Sequence, residues 1–270
     1  MKTSTARLFA LTGFAVVSLL TGSALLIWQP TDLEQGPVAG FEVRSYGSGS
    51  DESEISNAST GGYLSPEEAV EFSGLQPGRV YGQAELEAAQ ARLTLHPAVK
   101  SARIEQAGRG LIRIRLEERR CVAVVRNEER DQDGEGGGRS TLYEVDAELV
   151  ILAENRIRCT GAPLVRGAFV RDEESLDRFT DPALARLIAG LGVMRGAYPE
   201  LAARISELHW RRTGQLTLYL TPARVRVELP GQLDTAMMQR LYAAVAYFET
   251  DGQRSGVIDL RGQGVVILPD

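Results

Sequence analysis

The stretch "AVKSARIEQAGRGLIRIRLEERRCVAVV", Ala98 to Val125, decides the fold of the N-terminal half of the chain. Apolar residues recur at strand spacing before Gly108, and from Leu111 to Leu116 apolar and basic residues alternate strictly. A period of two is typical of a strand with one buried face, and the glycines at 108 and 110 mark a turn. The stretch therefore predicts two consecutive strands.

Two short helices are predicted just before these strands. The first has its start signals in Ser65, Pro66 and Glu68, a capping box with proline in the first helical position, and Gly74 ends it. The second covers about residues 83–95. Its apolar face consists of Leu86, Ala89 and Leu93.

A strand in "FEVRSYG", Phe41 to Gly47, completes the first lobe, residues 41–125, in the order strand, helix, helix, strand, strand. A polar, Gly-rich stretch, residues 126–140, separates it from a second lobe, residues 141–270. Alternating strands and two longer helices are predicted in the second lobe. We therefore predict an α+β fold, whose second lobe is a mixed β-sheet with helices.

The composition argues against several classes of function. The formal net charge of -6 does not suggest the clustered basic surface that nucleic acids require. The sequence has no nucleophile elbow, phosphate-binding loop, dinucleotide fingerprint or paired-histidine zinc motif. Glu117 and Glu118 are adjacent, so in a strand they face opposite sides and cannot act as a carboxylate pair. We expect no catalytic centre, no cofactor and no metal site.

The N-terminal segment predicts the compartment. After a short tail, residues 1–7, the stretch "LFALTGFAVVSLLTGSALLIW" from Leu8 to Trp28 carries no charge and has about the length that spans a membrane as a helix. Lys2 and Arg7 precede it, so the N-terminus is expected in the cytoplasm and everything from the linker, residues 29–40, outside. A cleaved signal peptide is the alternative.

Cys121 and Cys159 are the only cysteines, one in each lobe. Outside the inner membrane thiols are often oxidised, so a disulfide between the lobes is one hypothesis. Two separate buried thiols are the other, and the distance between the two residues decides between them.

The chain ends on "SGVIDLRGQGVVILPD", Ser255 to Asp270. "GVIDLR" predicts a strand, Gly262 to Gly264 permit a turn or bulge, and "VVIL" predicts a final strand with one apolar face inward. No charge stands between Gly262 and Leu268. At the edge of a sheet, such a strand is a template for strand addition. Between two other strands, it is simply a buried central strand.

Taken in order, "GLQPG", "LHPAVKSARIE", "LEERRCVAVV", "YEVDAELVIL", "PLVRG" and "IDLRGQGVVI" resemble the FtsQ family of bacterial cell division proteins, called DivIB in some lineages. The resemblance implies that the first lobe is a POTRA domain. It also implies a non-enzymatic scaffold, anchored by a single span in the inner membrane at the division septum, with both lobes in the periplasm. Such a protein links early and late division proteins and regulates septal wall assembly.

The resemblance further implies partners, namely FtsB-like and FtsL-like division proteins, with other divisome components contacting the POTRA domain. Because partner binding in the family is placed at the C-terminal sheet edge, the candidate site consists of Arg261, Gly262, Gln263, Gly264, Val265, Val266, Ile267 and Leu268. Arg261 and neighbouring polar groups are expected to fix the register. Two alternatives stay open, a POTRA-bearing transport or outer-membrane assembly component and a membrane-tethered periplasmic enzyme.

Overall fold

The computed structural model describes residues 36–47, 62–128, 140–175, 177–231, 233–251 and 255–269. Within these ranges the chain is an α+β protein with two β-sheets and five helices, the mixed class that the sequence predicts. No helix of the described ranges is long and apolar enough to cross a membrane. The predicted tail and span, residues 1–28, lie outside the described residues, as does most of the predicted linker.

The first lobe contains a three-stranded sheet and two helices. Its elements are β1 (Gly40–Gly47), α1 (Pro66–Ser73), α2 (Gln83–Thr94), β2 (Val99–Gly108) and β3 (Leu111–Glu118). This is the predicted order of strand, helix, helix, strand, strand. The central strand is β3, which pairs parallel to β1 and antiparallel to β2.

Local signals in the sequence account for both helices of the first lobe. Ser65 and Glu68 form the predicted capping box, Pro66 begins α1, and Gly74 ends it in the left-handed conformation at φ 72°. The predicted face of α2 is also confirmed, because its buried residues are the three that the apolar pattern marked. They are Leu86, Ala89 and Leu93.

The second lobe is a nine-stranded mixed sheet with three helices. Its elements are β4 (Ala123–Glu128), β5 (Ser140–Val145), β6 (Ile151–Glu154), β7 (Leu164–Gly167), α3 (Pro182–Ala197), α4 (Pro199–Ala202), β8 (Ile205–Trp210), β9 (Leu216–Leu220), β10 (Arg224–Leu229), α5 (Thr235–Thr250), β11 (Ser255–Asp259) and β12 (Val266–Pro269). The strand order is β12-β11-β10-β9-β8-β7-β4-β5-β6. Parallel pairs join β4 to β7, β7 to β8 and β10 to β11.

A single apolar core holds this sheet to its helices. Alternate residues of β9 and β10 point into it, as the period of two predicts, and α3 and α5 supply the opposing layer. Leu218 and Val227 of the sheet, and Leu184, Leu241 and Phe248 of the helices, are all fully buried. The helices therefore provide a rigid support for the C-terminal strands.

The boundary between the sheets lies at a different place from the predicted lobe boundary. Residues 123–125, assigned from the sequence to the first lobe, belong to β4, which pairs with β5 and β7 of the second sheet. The first sheet ends with β3 at Glu118. The apolar run that forms β4 fits either core, and only pairing with distant strands assigns it to the second.

A disulfide fixes the connection between the sheets. Cys121, between β3 and β4, is bonded to Cys159, in the segment that follows β6, with a Cα–Cα distance of 6.1 Å. This lies within the range of bridged pairs. The disulfide hypothesis is confirmed and the alternative of two separate thiols is wrong.

Hydrogen bonds to a buried carboxylate join the lobes beside this disulfide. Glu144 on β5 is fully buried and accepts hydrogen bonds from the hydroxyl of Tyr63 and from the backbone N–H groups of Arg158 and Cys159. Burial, reinforced by the bond to Glu144, raises the pKa of Tyr63 far above its ordinary value, so the phenol stays a neutral donor. Tyr63 belongs to the segment that begins α1, so this contact spans the two lobes.

Candidate functional site

The final strand lies at an edge of the nine-stranded sheet. β12 pairs antiparallel with β11, with Val266 opposite Asp259 and Leu268 opposite Val257. Within the described ranges, no strand pairs with its other side. The alternative of a central strand covered on both sides is therefore wrong.

The two faces of β12 differ in their surroundings. Ile267 packs against the apolar core, which confirms one inward apolar face. Val266 and Leu268 point to the opposite face and are 53% and 56% exposed, and Val265, just before the strand, is 47% exposed. Uncharged branched side chains thus flank an open backbone edge.

The candidate residues divide into a loop and a strand. Arg261 to Gly264 form an exposed bend, and the strand begins only at Val266. The predicted turn at Gly262 to Gly264 is confirmed. A single side chain outside the candidate set, Arg240 of α5, donates from Nη2 to the carbonyl oxygens of Gly262, Gln263 and Gly264 at 2.8, 3.2 and 3.1 Å.

Arg261 is engaged with its own strand end. Its Nε donates to Oδ1 of Asp259 at 2.9 Å, and its Nη2 contacts Oδ2. This hydrogen bonding from Arg261 lowers the pKa of the Asp259 carboxyl below its ordinary value. The pair closes β11 with a local ion pair, so the charge of Arg261 is already balanced by Asp259.

Glu117 and Glu118 lie on opposite sides of β3. Glu117 accepts hydrogen bonds from Lys100 and Ser101, both on β2. Glu118 faces the other way, is buried, and accepts from the backbone N–H of Tyr63 at 3.0 Å. Across the ranges that the structure covers, no group of three or more histidine, cysteine or acidic side chains is placed to hold a metal ion.

Two parts of this architecture had no signal in the sequence. Arg240 lies more than twenty residues from the loop it contacts, and Glu144 is separated from Tyr63 by 81 residues. Neither residue belongs to a recognisable motif. Both contacts depend on tertiary packing, which the periodicity of single segments does not encode.

The fold and site together define a two-sheet α+β protein that presents an open, uncharged strand edge from its C-terminal lobe. Residues 136–261 match the model of the family described as "Cell division protein FtsQ/DivIB, C-terminal". This part of the chain is therefore similar to the C-terminal domain of the FtsQ/DivIB cell division proteins. The matched region ends at Arg261, the first residue of the loop that leads into β12. No curated protein matches the chain.

Proposed function

We propose that this protein is a non-enzymatic divisome scaffold that binds an FtsB-like partner, together with an FtsL-like protein, by adding a partner strand to β12. The observation that carries the proposal is the open edge of β12 with its exposed Val266 and Leu268. In this role the protein links early and late division proteins and regulates septal wall assembly.

The chemistry of the edge favours strand addition. On an edge strand, alternate residues direct their N–H and C=O groups away from the sheet. Soluble proteins normally protect such groups with charges, proline or a covering loop. Val265 to Leu268 contain no charge, and the only proline, Pro269, stands at the end of the strand. A partner strand would satisfy the backbone groups and cover the apolar side chains in one step.

The compartment follows from the proposed anchor. We propose that Leu8 to Trp28 span the inner membrane once and that both lobes lie in the periplasm at the division septum. The bond between Cys121 and Cys159 favours this placement, because disulfides persist in oxidising compartments and are rare in the cytosol. We also propose that the first lobe is a POTRA domain that docks other divisome components.

Substitutions on the exposed face of β12 test the strand-addition step. Val266→Glu and Leu268→Glu each place a charge on the surface that the partner covers, without entering the core. Burying one such side chain is worth about 1–2 kcal/mol, so each variant should weaken the partner about tenfold or more. Val193→Glu on α3 is the matched control, because Val193 is 52% exposed and lies on a helix.

The measurement is capture of an FtsB-like protein by the membrane-anchored chain, with affinity determined for each variant. Val266→Pro adds a test of the backbone. Proline removes the N–H of Val266, which lies opposite Asp259 of β11, and so disturbs the edge strand itself. Circular dichroism establishes that each variant is folded. Unchanged affinity in the folded Val266→Glu, Leu268→Glu and Val266→Pro variants would refute binding at β12. Recovery of membrane-barrel components instead of division proteins would favour the transport alternative.

A further inference from the structure

We propose that Arg240 is a positioning residue for the partner-binding edge: it holds the loop before β12 and so fixes where a partner strand begins to pair. This inference rests on the proposed function, because it names the residue that prepares that same edge. The observation behind it is that one nitrogen of one side chain reaches three consecutive backbone carbonyls.

The loop has few restraints of its own. Gly262 and Gly264 bracket it, and a Cβ at Gly264 would meet nothing within 4 Å, so the backbone is not confined by packing. Glycine has the largest conformational freedom to lose. In the part of the chain that the structure describes, no other side chain donates to the carbonyls of residues 262–264. Arg240 is therefore the main restraint on this loop.

Arg240 itself stands on a fixed support. α5 is held against the sheet by the buried side chains of Met237, Leu241 and Phe248, which surround Arg240 in sequence. Asp234 caps the start of the helix by accepting from the N–H of Met237 at 2.8 Å. A packed helix fixes the backbone of Arg240, so the side chain restrains the flexible loop from a rigid base.

The contact also limits the edge available to a partner. A guanidinium nitrogen carries two hydrogens, and here they serve three carbonyls, so the acceptors of residues 262–264 are already engaged. A partner strand that used these carbonyls would have to share each of them with a charged donor, which makes them poorer acceptors for a second bond. We therefore expect backbone pairing with the partner strand to begin after Gly264 and to involve Val265 to Leu268.

Two substitutions of Arg240 separate its donor from its packing. Arg240→Met keeps an unbranched stem and removes every hydrogen. Arg240→Lys keeps one nitrogen with three donors, which is what the geometry uses, and should rescue the contact. Arg186→Ala on α3 is the control for removing an exposed helical arginine, since the structure gives Arg186 no hydrogen bond within the described ranges.

Hydrogen–deuterium exchange of the partner-free full chain measures the positioning directly. Arg240→Met should speed exchange of the Val266 and Leu268 amides, which face β11, about tenfold, because bonds to a charged donor are lost. Arg240→Lys and Arg186→Ala should leave the rate near that of the parent chain. Amides of β9 serve as the internal reference, since that strand lies away from the loop.

The outcomes separate this inference from the function on which it rests. Unchanged exchange in Arg240→Met overturns the positioning role, whatever the partner does. Equally fast exchange in the Arg186→Ala control overturns it as well, because the effect would then not depend on the contact with the loop. Faster exchange in Arg240→Met alone, with weaker capture of the FtsB-like partner, supports both the positioning role of Arg240 and strand addition at β12. The same exchange with unchanged capture overturns the role of Arg240 in partner pairing, whereas strand addition itself is decided by the Val266→Glu and Leu268→Glu variants.

Discussion

The disulfide offers the largest single change in stability that can be worked from this structure. Replacing Cys121 and Cys159 by serine releases a cross-link between residues 38 apart in sequence. For a closed loop of that length, the chain-entropy model gives a loss of about 4 kcal/mol in the free energy of unfolding. The value assumes that the unfolded chain gains its full freedom.

The folded state adds a second effect at the same place. The N–H of Cys159 donates to Oε1 of Glu144 at 2.6 Å, and the N–H of Arg158 donates to the same oxygen. Without the cross-link, the segment after β6 can open and expose this fully buried carboxylate to water. We therefore expect local opening around Glu144 as well as lower global stability.

Thermal and urea unfolding of the purified chain, followed by circular dichroism, measures the loss. For a protein of this size, about 4 kcal/mol corresponds to a fall in Tm of roughly 8–16 °C. Reductant should lower the stability of the parent chain to that of the double-serine variant, and it should leave the stability of that variant unchanged. A difference below about 1 kcal/mol between oxidised parent and variant would refute the argument that this loop restrains the unfolded chain.

Two further predictions concern the first lobe and its contact with the second. Tyr63→Phe removes a donor from the buried Glu144 and should cost about 1.5–3 kcal/mol, measured by urea unfolding against Tyr46→Phe as the control. Burial lowers the pKa of His96, although Glu68 opposes this, so the unfolded chain takes up a proton first as the pH falls. Stability should therefore fall as the pH drops below about 6.5, and His96→Gln should reduce that slope between pH 5 and pH 7.5.

The first lobe shows which parts of a fold a single sequence predicts well. Ser65, Pro66 and Glu68 specify the start of α1 through contacts within one helical turn, so the signal is complete in the segment itself. The same is true of the alternation in β3, where Ile112, Ile114 and Leu116 are buried. In both cases local preference and tertiary packing agree.

The second lobe shows where such prediction ends. β4 is an apolar run, and its pattern does not predict the sheet to which it belongs. In the structure it pairs antiparallel with β5, the next strand in sequence, and parallel with the more distant β7. The run "VVIL" predicts a final strand, but a short apolar run does not distinguish an edge strand from a central strand of the sheet. Arg240 carries no motif at all. These features depend on pairing between distant segments, which only the assembled sheet specifies.

The strand order is consistent with the scaffold role that we propose. The first lobe is joined to the second near β5 and β6, through Tyr63, Glu144 and the disulfide. The open edge of β12 lies at the opposite end of the same sheet. With about 4.8 Å between neighbouring strands, the two ends of nine strands are roughly 38 Å apart. Substitutions at the two ends of the sheet are therefore expected to act independently of each other. In the proposed role, one chain would therefore hold a partner at β12 while its first lobe engages another, as a protein that links components of one assembly requires.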